Sequence, residues 1–279
     1  MSTNELIHTT KAYYDSNDAD EFYHRVWGGE DIHVGIYELP DERIFQASQR
    51  TVQQMISMLR YIDENTDVLD IGSGYGGAAR YLSSRFKCTV TCLNLSEKEN
   101  ERNRKKNKEV GLGAFIDVHQ GNFEYIPFPD NSFNVVWSED AILHSDNKAK
   151  VFHEVSRVLK TGGQFIFTDP MQSDDCPADV LKPVLDRIHL KELGSVKLYR
   201  ALASANGLEE VRIMEMPEQL VNHYSSVKRE LQGKKEELKD YVSDDYITRM
   251  LAGLDHWIDG GKKGYLNWGI LQFKKSGKA

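Results

Sequence analysis

From residue 68 onward, short apolar runs alternate with stretches of helical spacing. Residues 68–71 ("VLDI") are apolar but for Asp70 and run into glycines. "AARYLSSRF" then has helical spacing, and "TVTCLNL" is β-branched and apolar before the polar, helical "SEKENERNRKKNKEV". That order predicts a β-α-β unit. "AFIDVHQ", "FNVVWS" and "GQFIFTD" predict three more strands, and "NKAKVFHEVSRVLK" an amphipathic helix that Gly162 and Gly163 should stop. Parallel strands joined by helices, an α/β fold, follow from the alternation. After Asp169 the pattern loosens into "PMQSDDCPADV", a helix ending "YRALASANG", a strand "EEVRIMEM", a charged helical insertion at about 218–260 and a last strand "YLNWGILQF". No crossover helix is apparent before that strand, so it is expected to enter antiparallel. "KRELQGKKEELKD" within the insertion reads as a solvated helix face.

Composition narrows the class. A chain of 279 residues, 40% of them hydrophobic, suffices for one large core carrying insertions. A formal net charge of −8 and a pI near 5.6 argue against a nucleic-acid partner, which calls for a basic face, and leave small molecules as the expected ligands. Cys88, Cys92 and Cys176 form no CxxC pair and leave one thiol over in any disulfide scheme. A reducing compartment and no zinc site are therefore expected, with Cys88 and Cys92 in the core. "MSTNELIHTTKAYYDS" does not resemble a signal sequence, and no run approaches the roughly 20 apolar residues that span a bilayer. The chain reads as cytoplasmic, with no membrane partner; its oligomeric state is left open.

The segment "VLDIGSGYGG" raises the question of which nucleotide its turn holds. A nicotinamide-binding fold ends its second strand in an acid for the ribose, about 20 positions past the glycines. Asn94 stands there instead. Asp70, two residues before Gly72, would repel a pyrophosphate and suits a ligand with a cationic end, such as the ammonium of S-adenosylmethionine. A glycine turn by itself is also what a tight strand-to-helix connection requires.

"VLDIGSGYGGAARYL", "GNFEYIPFPDNSFNVVWSEDAILH" and "VLKTGGQFIFTDP", in that order, resemble the motifs of class I S-adenosylmethionine-dependent methyltransferases over roughly residues 65–170. "WGGEDIHVGIY", "WSEDAILHS" and "RIHLKELGSVKLYRALASANGL" extend the resemblance over most of the chain, toward the sarcosine/dimethylglycine N-methyltransferases that make glycine betaine. Phosphoethanolamine methyltransferases carry an "RDAILH"-like segment as well. The resemblance implies a Rossmann-like fold, a mostly parallel seven-stranded sheet with an antiparallel last strand and an N-terminal lid. Residues 1–60 would form the lid and substrate segment, and 61–279 the S-adenosylmethionine-binding domain with its insertion at about 218–260.

The same resemblance implies roles. Asp70, Gly72, Ser73, Gly74 and Gly77 would hold the methionine end, Asn94 and Leu95 the ribose in place of the usual acid, and Asn122 and Phe123 the adenine. At least one of Ser138, Glu139 and Asp140 should face the cofactor, unless Asp140 only caps the segment after it. Methyl transfer from a sulfonium needs the acceptor nitrogen placed in line and water excluded, and calls for no metal. An aliphatic amine must also lose its proton. His144 is the candidate acid/base group, with Tyr14 as partner and Tyr13 as second choice. The N-terminal aromatics are either core or a lid whose rings stabilise cations, Tyr23 toward the sulfonium and Trp27 toward the ammonium of the acceptor. Arg187, with His189 as a weaker companion, is the candidate anchor for an acceptor carboxylate, or else a surface ion-pair partner of Asp186. Other readings stay open: a phosphobase or other small-amine methyltransferase, a non-catalytic S-adenosylmethionine-binding protein, or an NAD(P)-dependent oxidoreductase. The last explains the glycines but neither Asp70 nor Asn94.

Overall fold

The computed structural model describes residues 11–277. Strands β1 (Asp67–Ile71), β2 (Thr89–Asn94), β3 (Ile116–Gln120), β4 (Phe133–Glu139), β5 (Leu159–Gln172), β6 (Leu208–Glu215) and β7 (Leu266–Lys275) form one sheet in the order β3-β2-β1-β4-β5-β7-β6. From β3 to β5 the neighbours pair in parallel, and β7 runs antiparallel to both β5 and β6. Helices α1 (Asn17–Val26) and α2 (Ile44–Met58) precede the sheet, α3 (Gly77–Phe86) and α4 (Glu97–Glu109) follow β1 and β2, and α5 (Lys148–Val158) follows β4. Next come α6 (Lys182–Ile188) and α7 (Val196–Ala205) after β5, then α8 (Pro217–Gly233), α9 (Lys235–Leu238) and α10 (Asp244–Lys262) between β6 and β7.

Helices cover both faces of the sheet, which is why its central strands are apolar runs and not alternating ones. On one face Leu69, Val136, Phe165 and Phe167 pack with Phe152 of α5 and Tyr199 of α7; on the other Val68, Val135, Trp137 and Ile166 pack with α2 and α3. Each fully buried Phe contributes roughly 1.5–3 kcal/mol, so Phe152, Phe165 and Phe167 together rival the net stability of a domain, about 5–15 kcal/mol. Helix α4 has no apolar stripe. It docks through Asn103 and Asn107, whose amide oxygens accept from Arg80 Nη1 of α3 at 3.3 and 3.1 Å, and Ser96 caps it by accepting from Glu99 N.

Three local expectations change. Helix α5 stops at Val158, and Gly162 and Gly163 lie inside β5, where the β4–β5 register shifts and Gly162 takes φ +78. The "KRELQGKKEELKD" stretch is not wholly a solvated face, because Leu231 and Leu238 are buried with Phe22, Tyr23 and Trp27 under the N-terminal segment. Within residues 1–60, α2 packs on the sheet through Val52, Met55 and Met58 and so joins the sheet's own core, leaving the cover over the strand ends to the chain before it. Among the described residues no helix is long and apolar enough to cross a membrane.

The N-terminal segment is fastened to α4. Asp20, 2% exposed, accepts from Arg102 Nε and Nη2 at 2.7 and 2.6 Å and from the Tyr75 hydroxyl at 3.1 Å, with Lys98 Nζ 3.3 Å away. Burial alone would raise the Asp20 pKa, but Arg102 and Lys98 hold it below the ordinary aspartate value. With the folded-state pKa depressed, the stabilisation is present above the unfolded aspartate pKa and is lost as pH falls through the folded one. Asp20→Asn is expected to remove about 1–2 kcal/mol at neutral pH, discounted for the partly exposed Arg102. Its melting temperature should drop by a few degrees and proteolysis near residue 20 should quicken; unchanged melting at pH 7 would contradict this account.

Candidate active site

The chain turns from β1 into α3 at the carboxyl ends of the parallel strands, where open α/β sheets form their ligand crevice. Gly72 takes φ +77, and a Cβ there would sit 2.3 Å from that of Ala141; at Gly77 it would sit 2.0 Å from Asp31 Oδ1. These glycines let the β4 turn and the 30–33 loop close on the β1 turn. The cavity so formed, about 1000 Å³ with its mouth, runs from the end of β4 across β1 and β2 to β3. It brings together Asp70, Gly72, Ser73, Gly74 and Gly77 with Asn94, Leu95, Asn122, Phe123 and Asp140.

Carboxylates crowd its β4 end. His33 Nε2 lies 3.3 Å from Glu139 Oε1 and 3.7 Å from Asp31 Oδ1, with Asp70 beside them. Burial works against charging His33, but Glu139, Asp31 and Asp140 outweigh it and push its pKa up to about 10. Burial pushes Glu139 up to about 7 against the pull of His33. Asp70 is raised well above the carboxylate range by burial and then by the charge of Glu139. Glu139 Oε1, His33 Nε2 and Ser73 Oγ are buried without a hydrogen-bond partner. A cationic group between these carboxylates would relieve both the mutual repulsion and the unmet hydrogen bonding, and the cluster fits the ammonium end of an amino-acid ligand. Toward β2, Asn94 Nδ2 donates to Glu99 Oε2 at 2.8 Å. Glu99, whose carboxyl burial pushes up to about 7, thus brings an acid from α4 to the edge where Asn94 replaces one.

A second cavity, about 930 Å³ with its mouth, adjoins the first, and Tyr14, Ile32, Asp140 and His144 line both. Tyr13, Tyr14, Tyr23 and Trp27 form its roof from the N-terminal segment, and Tyr224, Met250, Leu254 and Trp257 form a wall from the insertion. In the shared wall the Tyr14 hydroxyl lies 3.0 Å from His144 Nε2. Tyr13 is engaged elsewhere, its hydroxyl 2.9 Å from that of Tyr246. His144 ends the short helical turn after β4, which Asp169 holds by accepting from Leu143 N at 2.9 Å; Asp169 accepts in turn from the Tyr199 hydroxyl. Burial, and then the neighbouring Lys148 ammonium, push the His144 pKa down to about 4, which leaves a neutral imidazole able to accept a proton.

Arg187 lines the second cavity and aims Nη2 at Met250 Sδ, while Asp186 pairs with Lys182 instead. His189, exposed and at φ +58, stands at the rim. Two expected cofactor contacts lie elsewhere. Tyr23 faces the second cavity and not the first, because α1 turns it toward Tyr13 and Trp27. Ser138 lines neither, since its position on β4 points it into the sheet, where its hydroxyl donates to Ile71 O at 2.8 Å. Asp140 does not act as a cap: its carboxylate accepts from Val34 N, Thr168 Oγ1 and Trp268 Nε1 at 2.6, 2.7 and 2.9 Å.

Sequence reasoning gave no role to Asp31, His33, Glu99 or the aromatic wall of the insertion. The run Glu30-Asp31-Ile32-His33 between glycines and apolar residues was a visible signal for the first two. The others come from helices whose charged exterior hid the few residues that turn inward. Among the described residues no group of three His, Cys, Asp or Glu side chains is placed to hold a metal ion.

A methyltransferase-domain family model matches residues 69–167. The sarcosine/dimethylglycine N-methyltransferase of Halorhodospira halochloris is 51% identical over 271 residues, 97% of each chain. That of Aphanothece halophytica is 53% identical over 263 residues, 94% of this chain and 95% of the relative. A crystal structure from Galdieria sulphuraria, whose protein bears a provisional assignment as a sarcosine dimethylglycine methyltransferase, superposes with a TM-score of 0.91 at 45% identity, over 96% of this chain and 100% of that one. These likenesses set aside the oxidoreductase reading of the glycine turn, and the cofactor of the fold is S-adenosylmethionine. The chain belongs to the sarcosine/dimethylglycine N-methyltransferase family of class I methyltransferases.

Proposed function

We propose that the first cavity holds S-adenosylmethionine and the second holds sarcosine or dimethylglycine, whose N-methylation ends in N,N,N-trimethylglycine, glycine betaine. The Tyr14–His144 pair in the wall common to the two cavities carries this reading. Asp70, Glu139 and Asp31 take the cofactor's ammonium, Glu99 and Asn94 its ribose hydroxyls, and Asn122 with Phe123 its adenine. The cofactor supplies a methyl group already activated on sulfonium sulfur, so the chain's own residues have only to place, dry and deprotonate the acceptor. Arg187 takes the acceptor carboxylate through its two-pronged guanidinium, and Tyr23, Trp27 and Tyr224 turn ring faces toward the cationic nitrogen.

The acceptor arrives as an ammonium, and the Tyr14 hydroxyl takes its proton while passing its own to His144 Nε2. Against an alkylammonium of pKa near 10.4 in water, an imidazole of about 4 is the weaker base by roughly six pH units, or about 8 kcal/mol. The pair cannot strip an acceptor left in water. Removal from water inside the aromatic cavity lowers the ammonium's pKa and is a necessary part of the step. Labelled S-adenosylmethionine offered with glycine, sarcosine, dimethylglycine and phosphoethanolamine tests the reading: sarcosine and dimethylglycine should be methylated, and preferential labelling of phosphoethanolamine would overturn it.

Asp70→Asn keeps the side-chain volume and removes the carboxyl group that a bound ammonium would hold ionised against burial and Glu139. A charge-assisted contact worth about 1.5–3 kcal/mol predicts a rise in the Kd for S-adenosylmethionine of roughly 10- to 150-fold, with melting little changed. Equal affinity in the folded variant would remove Asp70 from the ammonium site. His144→Ala is expected to lower kcat by about 10²- to 10⁴-fold with the cofactor Kd unmoved. If His144 keeps the proton through methyl transfer, wild-type kcat/KM is level from just above its pKa of about 4 to the pKa of the acceptor. His144→Ala, dependent on neutral amine from solution, should instead rise about tenfold per pH unit. A wild-type profile that already climbs with that slope would show that His144 receives no proton.

A further inference from the structure

Gly253 stands inside α10, on the same face as Met250, Leu254 and Trp257, which line the acceptor cavity. Glycine within a helix is less favourable than alanine, and the backbone here has no positive φ that would call for it. A Cβ on Gly253 would meet Arg187: the three nearest atoms are its Nε and Nη1, both at 2.4 Å, and its Cδ at 2.5 Å. The other glycines of this helix differ. Gly260 and Gly261 face Leu266 and Val221, ordinary apolar packing between elements. At Gly253 the missing methyl leaves a slot filled by the long, flexible side chain of Arg187.

We propose that Gly253 is a positioning residue for methyl-acceptor recognition, its bare backbone forming the slot that seats the Arg187 guanidinium against α10 so that its fork faces the acceptor carboxylate. The proposal rests on the reading of Arg187 as the carboxylate anchor. Met250 Sδ lies against Nη2 without neutralising the guanidinium, and Asp186 is occupied by Lys182. The positive charge is thereby kept for a ligand. A methyl at position 253 drives the guanidinium off the helix and into the cavity, turning its fork and taking space from the substituents on the acceptor nitrogen.

The test is Gly253→Ala, with KM and kcat for sarcosine and dimethylglycine, the Kd for S-adenosylmethionine and the melting temperature measured together. The expected result is a KM for dimethylglycine raised tenfold or more, a smaller rise for the slimmer sarcosine, a cofactor Kd unchanged within twofold and melting unchanged or higher. Arg187→Lys and the double variant Gly253→Ala/Arg187→Ala separate the two layers of the argument. If Gly253 acts through Arg187, the double variant binds the acceptor no worse than Arg187→Ala alone. An unimpaired Arg187→Lys would overturn the anchor and the slot together. Arg187→Lys impaired beside a normal Gly253→Ala would overturn the slot alone. A Gly253→Ala chain that melts far lower or fails to fold would make the glycine structural and overturn the proposal as well.

Discussion

The carboxylate of Asp140 ties together the three parts of the molecule that make the site. Its donors come from the N-terminal segment (Val34), from β5 (Thr168) and from β7 (Trp268), three stretches remote in sequence that meet above the carboxyl end of β4. Burial raises the pKa of this aspartate in spite of His33 and the three donors, so the contact is satisfied at some electrostatic expense. Asp140 takes φ +49, a conformation that asparagine and aspartate tolerate better than most side chains, and the chain there bends out of β4 into the turn carrying His144. The residue that fastens the N-terminal segment thus also sets where His144 sits: both cavities inherit their shared wall from it.

Most of the sheet was legible because its strands are buried on two faces and are read directly as apolar runs; β7 is reversed as expected, but not for want of a helix before it, since α10 leads into it and the strand inserts between β5 and β6 as antiparallel neighbour to both. The glycines at 162 and 163 misled, since a helix stop and a bulge call for the same residue; what decided between them was pairing with β4, a contact invisible along the chain. In the site, the residues at strand ends were legible by position: Asp70, Asn94 and Asn122 lie along the crevice. Ser138 failed because it still lies within β4, where its hydroxyl is taken up by Ile71 O, whereas Glu139 ends the strand and Asp140, at φ +49, has already turned out of it, and both reach the cavity. Tyr23 failed because the direction of α1 is set by what it packs on, here Val227, Tyr246 and Met250 from distant sequence.

The aromatic wall of the second cavity was hidden for a related reason. Helices α8 to α10 carry enough charge to pass for a solvated insertion, yet each sends a few side chains inward, and those come together only once the N-terminal aromatics close over them. The electrostatics of the two cavities then diverge sharply. One gathers carboxylates around a protonated His33, and the other holds a neutral His144 and the guanidinium of Arg187 among rings. The first cavity therefore complements a bare ammonium and the second a carboxylate.

A partition belonging to two compartments links their traffic. Tyr14 lies on the N-terminal segment and borders both cavities, so a change at this one side chain alters both spaces at once. Taking sarcosine through two methylations requires fresh cofactor in between, so each round is set up beside the same tyrosine.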